Sequence, residues 1–352
     1  MNEHRFRGRV FDVKAGATAC VLIAAAVALA LVPSRSFSAT ADRTADPVIA
    51  AAGDIACDPV DPDFNGGSGT PSRCRQQATA TLLEGATAVL PLGDNQYEDG
   101  TLSAYQQSYG LSSSWGSYND VAYPVPGNHE YNTLDAADYF AYFGAAAGDP
   151  ALGYYSFDLG SWHLVALNSE RGTGSVQTEW LRADLSATTK PCILAYWHAP
   201  RFSSGNHGND LDSDAFWHEL YNAHADVVLN GHDHHYERFA LQNPLGVADP
   251  EGIREFVVGT GGKSHAGFPT VQPNSEVRDS STYGVLRLTL QSYAYHWQFV
   301  AEEGETFTDT GTTSCHGAPP TAVKTSACRA GFWAAGRGGR LRYVCLRRWR
   351  PV

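Results

Sequence analysis

Ala88-Val89-Leu90-Pro91-Leu92-Gly93-Asp94-Asn95-Gln96-Tyr97 is a short apolar run that ends, after one glycine, in a carboxylate, two amides and a phenol. A run of this length bounded by Gly or Pro reads as a buried strand. The same grammar recurs along the chain. Val48-Ile49-Ala50-Ala51-Ala52 leads into Gly53-Asp54, Val121 to Pro126 into Gly127-Asn128-His129, Cys192 to Trp197 into His198, and Val227-Val228-Leu229-Asn230 into Gly231-His232. Helices are predicted between these runs at 72–84, 101–109, 134–143, 176–185 and 213–224. Alternating strands and helices predict an α/β core. Such sheets build sites beyond the carboxyl ends of their strands, so the polar strand ends are expected to meet in one site. Further strand-like segments at Tyr154–Leu159, Trp162–Leu167, Phe256–Val258, Tyr283–Leu290 and Ala294–Val300 lack that ending. They are expected to form a second sheet stacked on the first. No Pro/Ser-rich linker divides 42–323, which is expected to be one α/β domain of two stacked mixed β-sheets flanked by helices.

Composition narrows the class. The chain has 352 residues, 43% hydrophobic and 18% charged, which excludes disorder as its main state. No collagen period and no solenoid repeat is visible. Arg5, Arg7, Arg9 and Lys14 precede an apolar stretch from Ala15 to Val32 and an Ala39-Thr40-Ala41 cleavage pattern. Residues 1–41 therefore read as a secretory signal peptide, with an uncleaved N-terminal membrane anchor as the alternative; either places the rest outside the cytoplasm. Residues 324–352 carry eight basic groups and no acid. They read either as a basic arm for weak contact with anionic wall polymers or as an accidental extension. Between these ends lie 12 basic and 35 acidic groups, a net charge of −23. Such a domain repels nucleic acid, so any phosphate it binds must be attracted by something other than Lys and Arg, and metal ions are the first candidate. Six cysteines remain after Cys20, without a CxxC pair. In an exported chain they read as disulfides, here expected as Cys57–Cys74, Cys192–Cys315 and Cys328–Cys345.

The polar strand ends are Asp54, Asp94, Asn128, His198 and His232, with Tyr97 and His234 close behind in sequence. Seven oxygen and nitrogen donors exceed one tetrahedral zinc and suit two metals about 3.5–4 Å apart with a bridging carboxylate. The glycines before Asp54, Asp94, Asn128 and His232 are expected to let the backbone turn tightly. His232 and His234, two apart, would point to one side of an extended segment. These blocks, in this order, resemble those of the calcineurin-like metallophosphoesterases, and within them the purple acid phosphatase branch. The resemblance spans 54–238 by motif. It implies a first metal on Asp54, Asp94, Tyr97 and His234, and a second on Asp94, Asn128, His198 and His232, with Asp94 bridging. A phenol has a pKa of about 10 and ligates well only a strong Lewis acid. Tyr97 therefore points to Fe(III) at the first position, and the resemblance implies a purple colour. Zn(II), Mn(II) or Fe(II) would suit the second. Asp54, Asp94 and a phenolate carry three negative charges, so one trivalent and one divalent ion with a bridging hydroxide leave the site at +1, able to hold phosphate.

The implied reaction is hydrolysis of a small phosphate monoester by metal-activated hydroxide. His129 is the candidate acid for the leaving alkoxide, and His207 resembles the family's substrate-contacting histidine. Gly208 follows His207, so the second histidine of the family's pair is missing. His163, His218 and His224 read as structural or surface residues, His235 as packed or solvated, and Glu237-Arg238 as an ion pair. The loop Gly259 to His265 lacks P-loop spacing and is expected near the site. Two rival functions share this pattern: a phosphodiesterase or nucleotidase of the same superfamily, and a non-catalytic wall-associated protein stabilised by its metals.

Overall fold

The computed structural model describes residues 45–171 and 174–317. The predicted signal segment, the basic tail and the expected Cys328–Cys345 bridge lie outside them. Twelve strands follow in chain order: β1 Val48–Ala52, β2 Ala88–Pro91, β3 Tyr155–Leu159, β4 Trp162–Ala166, β5 Cys192–Tyr196, β6 Val227–Asn230, β7 Tyr236–Phe239, β8 Arg254–Val258, β9 Ser275–Asp279, β10 Gly284–Leu290, β11 Ala294–Ala301 and β12 Thr310–Ser314. The helices are α1 Gln76–Ala80, α2 Leu102–Gln107, α3 Ala137–Phe143, α4 Ser175–Ala187 and α5 Asp214–Asn222. All five lie within or over the expected ranges; α1 to α3 and α5 are shorter than expected and α4 is longer.

Two mixed sheets are present, as expected, but their membership differs. The smaller has the order β12-β11-β10-β1-β2 and the larger β3-β4-β5-β6-β8-β7-β9. The expected division into a first-half sheet and a second-half sheet is therefore corrected. β1 pairs in parallel with β2 and antiparallel with the distant β10, while β5 and β6 join β4 and β8 in a parallel block. Local pattern marks a strand, but pairing partners are chosen by which faces can be buried together.

The parallel strands show this directly. Leu164, Ala166, Leu194, Tyr196, Val227, Leu229, Phe256 and Val258 face a core shared with Ile49, Ala51, Leu90 and Leu286 of the other sheet. The alternate residues Val165, Ile193, Ala195, Val228 and Val257 face Leu181 and Leu185 of α4 and Phe216, Trp217 and Leu220 of α5. Strands buried on both faces read as continuous apolar runs, which is why no alternation was visible in them.

The expected strand at 121–126 is also corrected. Only isolated bridges, Val89 with Ala122 and Leu92 with Val125, tie it to β2. Pro124 and Pro126 have no N–H to donate, so a full ladder is impossible there. The path is nonetheless strand-like enough to carry Asn128 alongside Asp94. Two of the expected disulfides are formed, Cys57–Cys74 and Cys192–Cys315. The second closes a loop of 123 residues between the start of β5 and the segment after β12, and a bridge over a loop this long typically stabilises by about 2–4 kcal/mol.

Candidate metal centre

Three of the five polar strand ends present their side chains through unusual backbone. Asp54, Asp94 and His232 themselves adopt left-handed conformations, with φ of 60°, 48° and 70°. Of the glycines before the site residues only Gly93 has a positive φ, 84°. The expected role of Gly53, Gly127 and Gly231 in turning the chain is therefore replaced by close approach. A Cβ on Gly127 would sit 2.3 Å from Asp94 Oδ1, and one on Gly231 2.9 Å from Asp54 Oδ2. Non-glycine residues held in this region cost of order 1–3 kcal/mol each and cluster at functional sites.

The seven predicted side chains converge into two groups. In the first, the Tyr97 hydroxyl lies 2.8 Å from Asp54 Oδ1, 3.1 Å from Asp94 Oδ2 and 3.0 Å from His234 Nε2. His234 Nε2 is 3.3 Å from Asp54 Oδ1. In the second, His198 Nε2 lies 3.3 Å from Asp94 Oδ2, 3.2 Å from Asn128 Oδ1 and 3.1 Å from His232 Nδ1. Asp94 Oδ2 belongs to both. Metal–ligand bonds of about 2.1 Å would give edges of about 3.0 Å in an octahedron and about 3.4 Å in a tetrahedron, so separations that serve here as hydrogen bonds also match the spacing of donors around a cation. The orientation of His232 and His234 differs from the expected extended pair, because His232 is left-handed. They face the cluster through different ring nitrogens and enter different groups.

A second layer aims these donors. One oxygen of each carboxylate is occupied outside the cluster: Asp54 Oδ2 accepts the His232 N–H at 2.8 Å, and Asp94 Oδ1 the His129 N–H at 2.9 Å. His198 Nδ1 donates to the Leu92 carbonyl at 2.9 Å, and His234 Nδ1 meets Ser264 Oγ at 2.8 Å. Both rings therefore turn Nε2 inward, a common arrangement of metal-binding imidazoles. The Tyr97 hydroxyl donates into the cluster, and the carboxylate and amide oxygens that point inward are acceptors. Burial lowers the basicity of His198, but Asp94 beside it raises it more, to about 10. Burial, then His198 and His207, pull His232 down to about 3. Burial, then Asp54 and Asp94, push the Tyr97 phenol well above its usual value. Two cations would relieve the same crowding of buried oxygen and nitrogen atoms.

Glu130 is a residue the sequence reading did not single out. It is fully buried and accepts the backbone N–H groups of Asp94, Asn95, Gln96 and Gly127 and the Tyr105 hydroxyl. Burial, then Asp94, push its carboxyl up to about 8. Its place directly after His129 was the available signal. β4 was also misread: its run ends in Leu167-Asn168-Ser169-Glu170, so it has the polar ending after all. Ser169 Oγ accepts the Ala199 N–H at 3.3 Å, next to His198.

The loop from Gly259 is a support, as its Gly261 and Lys263 N–H groups bind the Gly53 and Asp54 carbonyls. Lys263 is buried, with Nζ 4.7 Å from the Tyr97 ring centre and paired to Glu98 and Asp61. His129 packs its ring 4.3 Å from that of Tyr97, and its Nε2 is 3.8 Å from Asp94 Oδ2. His129 Nδ1 contacts the Glu98 carbonyl. His207 is exposed, with its ring 4.0 Å from that of His232. His235 is buried against Phe268. The expected Glu237–Arg238 ion pair is absent: neighbours in a strand face opposite ways, and Arg238 pairs with Asp309 and Glu276 instead.

The profile of the calcineurin-like phosphoesterases matches residues 48–236. The chain belongs to this family. Its curated relatives include purple acid phosphatases of Arabidopsis thaliana. Purple acid phosphatase 22 is 35% identical over 160 residues, 42% of this chain and 36% of the relative. Purple acid phosphatase 18 is 29% identical over 203 residues, 50% and 44% respectively. The chain thus spans less than half the length of these relatives. The fold is that of a purple acid phosphatase from yellow lupin seeds (TM-score 0.61, 18% identity, 80% of this chain and 57% of that one). It is also that of GAP50, the anchor in the inner membrane complex of Plasmodium (TM-score 0.54, 16% identity, 77% and 89%). This phosphoesterase-family chain is therefore purple acid phosphatase-like, and a dinuclear metal centre is what its family implies.

Proposed function

We propose that this chain is an exported phosphoesterase that hydrolyses small phosphate monoesters at a pair of metal ions. The observation that carries the reading is the pair of donor groups sharing Asp94 Oδ2. Asp54, Asp94, Tyr97 and His234 would hold the first ion, taken as Fe(III) because of the phenol. Asp94, Asn128, His198 and His232 would hold a divalent second, Zn(II), Mn(II) or Fe(II). Such a pair supplies electrophilic activation of phosphate and a nucleophile at neutral pH.

The protein's own groups do the rest. The imidazole of His129, anchored at Nδ1 by the Glu98 carbonyl, leaves Nε2 free to protonate the leaving oxygen. His207, at the mouth beside His232, is placed to donate to a phosphate oxygen. Export is supported by two disulfides, which persist in oxidising compartments, and by the signal-like start, with the membrane anchor as its alternative. Among the described residues no helix is long and apolar enough to cross a membrane. The domain's charge of −23 argues against a nucleic-acid partner.

The test is metal analysis and a visible spectrum of protein purified without added metal, with rates on p-nitrophenyl phosphate and bis-p-nitrophenyl phosphate. Two metals per chain, one of them iron, with a visible band lost in Tyr97→Phe and faster monoester turnover are expected. Two metals without a band would remove Fe(III), and faster diester turnover would replace the monoester reading. His129→Ala is expected to lower kcat roughly 10²–10⁴-fold with metal content unchanged. Unchanged turnover would take His129 out of the mechanism.

A further inference from the structure

The loop Phe202 to Asn209, which carries His207, is held by an unusual set of partners. Three of its backbone N–H groups each meet a different buried carboxyl. Phe202 donates to Glu255 Oε1 at 3.3 Å, Ser204 to Glu237 Oε2 at 2.8 Å, and His207 to Asp233 Oδ1 at 3.1 Å. Asp233 Oδ2 also accepts the Ser203 hydroxyl at 2.5 Å, and that hydroxyl oxygen accepts the Gly205 N–H at 3.0 Å. Asp233 is fully buried. Burying a carboxylate is costly unless its hydrogen bonds are made, and both side-chain bonds of Asp233 go to this loop rather than to its own turn between β6 and β7. The loop is shaped around it in turn. A Cβ on Gly205 would lie 2.2 Å from Asp233 Cγ, so only glycine lets the chain pass this close.

The segment from His232 to His234 is thus two-sided. Its imidazoles enter the candidate metal centre, and the carboxylate between them grips the loop that lays the His207 ring on His232. We infer that Asp233 is a positioning residue: it sets His207 at the mouth of the centre, so that recognition of phosphate by His207 depends on the Asp233 carboxylate. This rests on reading His207 as the substrate contact of the proposed phosphoesterase.

Asp233→Asn, Ser203→Ala, Gly205→Ala and His207→Ala test it, alone and with Asp233→Asn combined with His207→Ala. Metal content, kcat and KM for p-nitrophenyl phosphate, and the His207 imidazole NMR resonances of the full chain loaded with diamagnetic Zn(II) are measured. Asp233→Asn and Gly205→Ala are expected to raise KM about 5–20-fold, far more than they lower kcat. They should also move the His207 resonances toward those of a free side chain, and Asp233→Asn should add nothing to His207→Ala. If Asp233→Asn sheds metal, Gly205→Ala and Ser203→Ala carry the test, since both change only the loop and leave every residue of the segment from His232 to His234 in place. Unmoved His207 resonances, or an equal rise in KM with and without His207, would overturn the inference. A silent His207→Ala would instead refute the substrate role of His207, and the resonances alone would then decide whether Asp233 positions it.

Discussion

Asp94→Asn is expected to lower turnover on the order of 10⁴-fold and to empty both metal positions. Asp94 Oδ2 is the only atom common to the two donor groups, 3.1 Å from the Tyr97 hydroxyl and 3.3 Å from His198 Nε2. Asparagine matches aspartate in size, but its orientation here is imposed. Position 94 must accept the His129 N–H through the outer oxygen, so the amide carbonyl takes that place and the NH₂ group turns into the cluster. An N–H donor would then face the proposed cations where the carboxylate oxygen would bridge them. His198 loses the neighbour that most raises its basicity as well. Elemental analysis and kcat on p-nitrophenyl phosphate check this. Two retained metals with turnover within tenfold of the parent would refute the bridging role.

Glu130→Ala is expected to destabilise the fold by at least ~4 kcal/mol, since each orphaned buried donor costs roughly 1–3 kcal/mol. It would strand the N–H groups of Asp94, Asn95, Gln96 and Gly127 and the Tyr105 hydroxyl. That is a large share of the ~5–15 kcal/mol typical of a domain. The four N–H groups belong to the segments that deliver Asp94, Tyr97 and Asn128, so metal affinity should fall with stability. Glu130→Gln keeps the volume but turns two N–H donors toward other donors, and should fall between. Denaturant unfolding checks both; a Glu130→Ala variant within 1 kcal/mol of the parent would show that water replaces the carboxylate.

Asp54, Asp94, Tyr97, Asn128, His198, His232 and His234 were legible in the linear sequence. Each follows an apolar run within a few residues, and a buried strand must end where its apolar residues end. The element types were legible for the same reason, because periodicity is local. The strand at 121–126 misled because an apolar run predicts burial, whereas a ladder also needs donors that its prolines lack. The ending of β4 was there to be read and was passed over.

The amino-acid order by itself determined which residues are candidates for the chemistry, the charge that favours metals over basic side chains for holding phosphate, and the cysteines available for bridging. Only the tertiary structure decided that β1 and β2 lie in one sheet with β10 while β5 and β6 lie in the other. It also decided that Asp94 presents one oxygen to both donor groups, and that Glu130 and Asp233 hold segments far from them in sequence. The physical reason is range. Strand propensity and burial pattern are written within a few neighbouring residues, whereas pairing partners and buried hydrogen bonds join residues far apart in the chain. Their choice depends on the whole set of faces and donors that must be satisfied together.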